Sequence, residues 1–324
     1  MSDVQGIRAE SYLAPETIGQ LAPFELRARM IVEGVMSGMH RSPYQGMAVE
    51  FAEYRQYTPG EDLKHLDWKA WGRSDKLYVK QYQQETNLDV VLLVDASASM
   101  AFGTLPVKAG WGGTEASRRD ATWTKFDHAS ALAVALGYVC LGQADRLGMA
   151  VVADDLLASV PRSSARQQWR RVVAALTRQP VDRETDFGKV TDLVLSKVTN
   201  RVLFIWMSDF FGDPETIRTA LARFRHRRHD VVMVQTLDRA EMRFEYDEPA
   251  PFEGLEGEGR LRVDPRGLRD GYLEALRRHC DALDRIVTGF GYDCVRVDTH
   301  ENVGPPLAYL LARRSAIARG RTAR

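Results

Sequence analysis

Two stretches of this chain leave little freedom in how it can fold: "LDVVLLVD" at 88–95 and "RVLFIWMSD" at 201–209. Each is a near-continuous apolar run that closes on an aspartate. A strand with apolar side chains on both faces must be covered on both faces, which is the situation of parallel sheets flanked by helices. The rest of the chain supplies those helices and further strands. "KFDHASALAVALGYVCLGQA" reads as a mostly buried helix; "SARQQWRRVVAALTRQ", "TDFGKVTDLVLSKV" and "PETIRTALARFRHRR" carry helical periodicity. "RLGMAVVAD" and "LLASVP" read as strands joined at "DD", and "DVVMVQTL" and "YDCVRVDT" as two more. "GLRDGYLEALRRHCDALDRIVTGF" and "PPLAYLLARRSA" complete the helices. The expected fold class is α/β: a doubly wound, mostly parallel sheet with helices on both faces, of Rossmann type, over residues 88–313.

Residues 1–87 read as a small α+β segment. Phe24, Ala28, Ile31, Val32 and Val35 share one helical face, and the strand candidates "AVEFAEYRQY" and "KLYVKQYQQE" flank the turn "TPGED". Residues 314–324 read as a basic tail. The 44 basic and 44 acidic residues balance, which gives no reason to expect nucleic acid or an anionic membrane as the main partner. "SALAVALGYVCLG" is too short to span a bilayer, and "MSDVQGIRAE" lacks the basic and apolar regions of a signal peptide. Cys140, Cys280 and Cys294 are scattered, as in a reducing compartment. The expectation is a cytoplasmic protein without membrane insertion.

In doubly wound sheets, ligands bind outside the carboxyl ends of the strands. Asp95 and Asp209 both end apolar strands, so both carboxylates face that rim. Asp95, Ser97 and Ser99 alternate along "DASAS" and offer only hard oxygen donors. That set suits magnesium, with manganese or calcium as alternatives, and not zinc or copper. Thr185 in "RETDFGKV" begins a helix from which its hydroxyl could reach the same rim. Simpler readings exist: Asp95 as a cap, Thr185 as an N-cap, Asp209 as a turn residue. Capping explains little for Asp95, because the next helix begins near Phe126.

Together, Asp95, Ser97, Ser99, Thr185 and Asp209 resemble the metal-ion-dependent adhesion site of von Willebrand factor A domains. "EFAEYRQYTPGEDLKHLDWKAWGRSDKLYVKQYQQE" in turn resembles the signature of the DUF58 family, carried by Tyr57, Pro59, Gly60, Asp62, Asp67, Trp68, Lys69 and Arg73. The resemblance covers residues 35–240. It implies a von Willebrand factor A-like domain that partners a MoxR-type AAA+ ATPase in assembling or remodelling other proteins; the expected function is non-enzymatic, with an open position on the ion taken by an acidic residue of a client. Many relatives carry amino-terminal membrane helices, which this sequence does not show.

Two competing functions follow from the same residues. Asp95 is a candidate nucleophile for a metal-assisted phosphohydrolase, although position 97 is serine where such enzymes place a second, acid–base aspartate. The arginine-rich helices 164–179 and 214–229 are the motive for RNA binding, against the balanced charge. GxSxG and GxxxxGK[ST] are both absent from the chain. Three features are left outside the site: the glycine-rich insertion at 101–125, the basic "RFRHRRHD" taken as a solvated face, and Trp68 with Trp71.

Overall fold

The computed structural model describes residues 54–56, 78–80, 88–107, 122–177, 181–248, 250–255 and 259–322. The helix expected at 24–36, the signature turn and Trp68 and Trp71 lie outside these residues. Within 1–87, the described part is the antiparallel pair β1 (Tyr54–Gln56) and β2 (Tyr78–Lys80).

From 88 onward the alternation of strands and helices unfolds as the sequence implies. β3 (Asp89–Asp95) is followed by α1 (Lys125–Gly142), β6 (Arg146–Val152), β7 (Leu156–Ser163), α2 (Gln168–Thr177) and α3 (Phe187–Ser196). β8 (Leu203–Ser208), α4 (Pro214–His226), β9 (Asp230–Leu237), α5 (Arg239–Arg243), α6 (Pro265–Gly289), β12 (Asp293–Asp298) and α7 (Gly304–Thr322) complete the body. Two antiparallel additions interrupt it: β4 (Leu105–Pro106) with β5 (Thr122–Trp123), and β10 (Ala250–Glu253) with β11 (Arg260–Val263).

The central sheet has the order β12-β9-β8-β3-β6-β7. All its pairings are parallel except β6–β7, the hairpin turned at the "DD" pair. Alternate residues of β3 serve opposite layers. Val90, Leu92 and Val94 pack with α1, α2 and α7, whereas Val91 and Leu93 pack with α3, α4 and α6. Full burial of side chains such as Leu92 and Leu93 contributes roughly 1.5–3 kcal/mol each, which is why these strands cannot sit at a surface.

The order of the strands fixes where a ligand can go. From β3 the chain moves to β6 on one side; from β8 it moves to β9 on the other. The carboxyl ends of β3 and β8 therefore flank the switch point, where diverging connections leave a crevice.

Some expectations need correction. α7 continues to Thr322, past the boundary drawn at 313, and Arg314 on it holds the fully buried Asp145 with both nitrogens of its fork, 2.5 and 2.7 Å. The basic run is thus helix where a tail was expected. His229 in "RFRHRRHD" is buried, and its Nδ1 accepts the Val202 N–H at 3.2 Å, so that segment is no uniformly solvated face. The base of the 101–125 insertion is the β4–β5 ladder, pairing Leu105 with Trp123; residues 108–121 lie outside the described set.

Candidate functional site at the switch point

β3 delivers Asp95 to the rim at 1% exposure. Its Oδ1 accepts the Ser97 N–H at 2.9 Å, an Asx-type turn that stops the strand and starts the 3₁₀ turn Ala98–Ala101. That turn places the Ser97 and Ser99 hydroxyls 3.1 Å apart. Ser97 is buried and Ser99 half-buried, so this edge of the site opens toward solvent. Asp95 Oδ2 accepts the Ser208 hydroxyl at 2.6 Å. Burial and the neighbouring Asp209 carboxylate push Asp95 up to about 7 despite these hydrogen bonds.

β8 ends at Ser208, and Asp209 heads the turn after it. Phe210 adopts φ +55°, a left-handed conformation costly for a residue with a side chain. The turn is held from several sides. Phe210 N–H donates to Ser208 Oγ at 2.9 Å, and the buried Phe210 ring stacks on Phe187 and meets Trp206 edge-on. Gln235 donates to the Asp209 carbonyl at 3.1 Å. Gly212 is required here because a Cβ would come within 2.9 Å of the Phe187 ring.

Thr185 reaches the same neighbourhood by another route. A parallel bridge joins Ser97 to Arg183, with Ala98 N–H donating to the Arg183 carbonyl at 2.7 Å. Half-buried Thr185 sits two residues on, in the connection to α3. The N-cap of that helix is Asp186, which accepts the Lys189 N–H, so the capping role read for Thr185 belongs to its neighbour. The structure thus gathers the Asp95, Ser97 and Ser99 turn beside Asp209, and brings the Thr185 loop to its edge.

One charged group at this rim was not foreseen. Lys125, the first residue of α1, is fully buried. Its Nζ lies 2.7 Å from Asp209 Oδ2 and 2.6 Å from Glu241 Oε1, and 4.8 Å from the centre of the Phe211 ring. Burial alone would lower the ammonium's pKa, but Asp209 and Glu241 outweigh it and raise it. Glu241 lies on α5, where its Oε2 accepts the Asp238 N–H at 2.8 Å in a capping box. Burial raises the Glu241 carboxyl, against the opposing pull of Lys125. The sequence signal available was Thr124-x-x-Asp127, the capping box of α1, which marks the helix start beside Lys125.

Asp238, at the end of β9, is buried too. It accepts from the Thr104 hydroxyl at 2.6 Å, the Thr299 hydroxyl at 2.8 Å and the Ala240 N–H at 2.9 Å. Burial would raise this carboxyl; the hydrogen bonds more than offset it and hold it below its usual range. Asp238 ties together the rim ends of β9, β12 and the loop after the 3₁₀ turn.

Among the described residues, no group of three or more His, Cys, Asp or Glu side chains converges as a metal cage. Any cation at the switch point would rest on hydroxyls as much as carboxylates, and the hard, all-oxygen set of Asp95, Ser97 and Ser99 fits magnesium chemistry. Two arginines of the 214–229 stretch are spent on the protein itself. Arg223 bonds the Gly188 carbonyl at 3.0 Å and pairs with Asp192, and Arg227 bonds the Leu195 carbonyl at 2.7 Å. Among the described residues no helix is long and apolar enough to cross a membrane.

The order of the sheet, with helices on both faces, is that of a doubly wound α/β fold, and the Asp-x-Ser-x-Ser turn stands at its switch point. The family model described as "Protein of unknown function DUF58" matches residues 53–282. The uncharacterized proteins Rv1480 of Mycobacterium tuberculosis and Mb1516 of Mycobacterium bovis are each 26% identical over 312 residues, covering 94% of this chain and 92% of theirs. Similar solved structures include the conserved hypothetical protein BatB from Bacteroides thetaiotaomicron, 17% identical with a TM-score of 0.44 over 72% of this chain and 100% of that one. The VWA domain of SpRpn10 is 11% identical, with a TM-score of 0.36 over 69% of this chain and 94% of its own.

Proposed function

This chain belongs to the DUF58 family, and from that premise we propose that it is a non-enzymatic protein-interaction module that captures an acidic partner through a divalent cation. Asp95, Ser97 and Ser99 would hold the ion directly, with Thr185 and Asp209 at its margins. Magnesium is the first candidate, with manganese or calcium as alternatives. The observation that carries this reading is Asp95. A carboxylate at 1% exposure, next to a second buried carboxylate, is held by a backbone N–H and serine hydroxyls rather than by a cation of the chain. Burying a charge in that way is costly unless a counter-charge arrives.

When bound, such an ion supplies a positive charge not fully neutralised by its ligands, which attracts a partner's aspartate or glutamate. The chain does the positioning: Ser208 and the Ser97 N–H fix the Asp95 carboxylate, and the Arg183 bridge fixes the loop that carries Thr185. The partner class implied by the family resemblance is a MoxR-type AAA+ ATPase acting with an acidic client, in the cytoplasm. Hydrolysis has less support. The residue two beyond Asp95 is Ser97, and Asp209 is committed to Lys125, so neither supplies a general acid.

Affinity capture from lysate with this chain as bait tests the proposal. The AAA+ ATPase is expected in Mg²⁺, and is expected to disappear with EDTA and with Ser97→Ala/Ser99→Ala. Capture that is unchanged in EDTA overturns the metal-dependent reading, and aryl phosphate turnover lost in Asp95→Asn overturns the non-enzymatic one.

A further inference from the structure

Lys125 stands where helix electrostatics alone would not put a cation. It occupies the first position of α1, and the partial positive charge of a helix amino terminus disfavours an ammonium there. Immobilising a lysine also costs about 2 kcal/mol of side-chain entropy. Its partners come from far along the chain, Asp209 from the β8 turn and Glu241 from α5. Its walls are the rings of Phe102 and Phe211, at 5.9 and 4.8 Å, each from one of the two turns that carry candidate ligands. The ammonium therefore bonds the Asp209 turn directly and lies near Phe102, the residue that follows the 3₁₀ turn after Asp95.

We propose that Lys125 is a resident cation that competes with a divalent ion for Asp209. This rests on the reading of the switch point as a cation site. Asp209 Oδ1 accepts the Phe211 N–H at 3.1 Å while Oδ2 accepts Lys125, so both oxygens of this carboxylate are engaged within the chain. Asp209 can turn toward an ion held at Asp95, Ser97 and Ser99 only by loosening its grip on Lys125. Glu241 keeps the ammonium when that happens, and is itself anchored through Asp238 N–H. Lys125 thus sets a threshold for loading and links the site to α5, a positioning role distinct from ligation.

The charges make the consequence measurable. Lys125 is the one ammonium shared by Asp209 and Glu241, so Lys125→Met frees Asp209 and removes one positive charge from the rim. Removing one nearby like charge, even at a water-like dielectric, tightens binding of a divalent ion by about tenfold or more. The probes are Mg²⁺ by calorimetry and Mn²⁺ by electron paramagnetic resonance, on the full chain, with circular dichroism reporting the fold. Because Lys125→Met leaves buried Asp209 and half-buried Glu241 without their counter-ion, Lys125→Met/Glu241→Gln is measured beside it. That double variant restores the wild-type net charge at the rim while still releasing Asp209.

Tighter ion binding in the folded variants than in wild type supports the competition, and tightening kept in the double variant assigns it to Asp209 rather than to net charge. If wild type binds the ion and the folded double variant binds no more tightly, Lys125 is not a competitor, and the cation reading stands without it. If neither wild type nor the variants bind Mg²⁺ or Mn²⁺, the cation reading fails and the competition fails with it.

Discussion

The two ends of the central sheet handle most of their buried charge differently. At the amino ends of the parallel strands each acid is matched by an arginine. Asp89 pairs with Arg162 and Arg146, Asp145 with Arg314, Asp230 with Arg201, and Asp293 with Arg313. At the carboxyl ends, buried Asp298 has Arg239 at 2.9 Å, but Asp95 and Asp238 are held by hydroxyls and backbone N–H groups, and one ammonium serves Asp209 and Glu241 together. The amino end is electrostatically closed and serves stability. The carboxyl end keeps an excess of negative charge in a low-dielectric crevice, a condition that favours function over stability.

The largest expected effect lies at the closed end. Arg314→Met leaves the fully buried Asp145 without its fork, and losing one partner of a buried pair costs about 3–5 kcal/mol. Urea denaturation should show that loss, with no recovery on adding Mg²⁺. Arg314→Met/Asp145→Asn should regain part of it, since the amide oxygen can still accept the Leu88 N–H that Asp145 now holds at 2.9 Å. A loss under about 1 kcal/mol would mean that the amino end is no more closed than the rim.

Why one end was legible in the sequence and the other only in part follows from the same contrast. Parallel strand direction is readable from apolar runs, so Asp95 and Asp209 were placed on one rim from sequence, with Ser97 and Ser99 beside them by spacing alone. Lys125 was not legible. A lysine after a capping threonine ordinarily points to water, and its burial depends on carboxylates 84 and 116 residues away. Arg314 was read as tail for the same reason, its partner being 169 residues distant. Glu241 sits on the five-residue helix α5, too short to leave a periodic pattern.

A second effect tests burial near the rim by pH. His128, fully buried with its Nδ1 accepting the Trp123 indole N–H at 3.2 Å, is pushed down to about 4, chiefly by burial. The unfolded chain, with an ordinary imidazole, binds more protons between that value and about 6.5, so His128 contributes stability at neutral pH that is lost as pH falls through this window. Asp95, raised to about 7, acts in the opposite direction over an overlapping range. The measurement is therefore a difference: wild-type stability minus that of His128→Phe should fall by about 2–3 kcal/mol between pH 7 and pH 4.5. A flat difference would show that the ring is already solvated.

Ser208 probes the neutral donors that take the place of arginine at the rim. Ser208→Ala removes the hydroxyl that donates to Asp95 and accepts from Phe210 N–H, and leaves two buried groups short of a partner, for a cost of about 1–3 kcal/mol. Asp95→Asn in the same background should reduce that cost, because an uncharged amide suffers less from the lost donor. Equal costs in both backgrounds would mean that Ser208 serves only the turn.

The smallest effect on stability should accompany the largest effect on capture. In Ser97→Ala/Ser99→Ala, Asp95 keeps the Ser97 N–H and the Ser208 hydroxyl, while the bond between the two serine hydroxyls and the Ser97 hydroxyl's own hydrogen bond to Asp95 are removed. Each such bond contributes about 0.5–1.5 kcal/mol, and Ser99 is half-buried, so the bond between the hydroxyls lies toward the low end. If these hydroxyls belonged to a structural network like that at the amino end, denaturation would report them and partner capture would be spared. If they are donors to an ion, denaturation without metal barely moves while Mg²⁺-dependent capture falls to the level seen with EDTA. The two measurements on one protein therefore separate a rim built for stability from a rim built to be completed by something outside the chain.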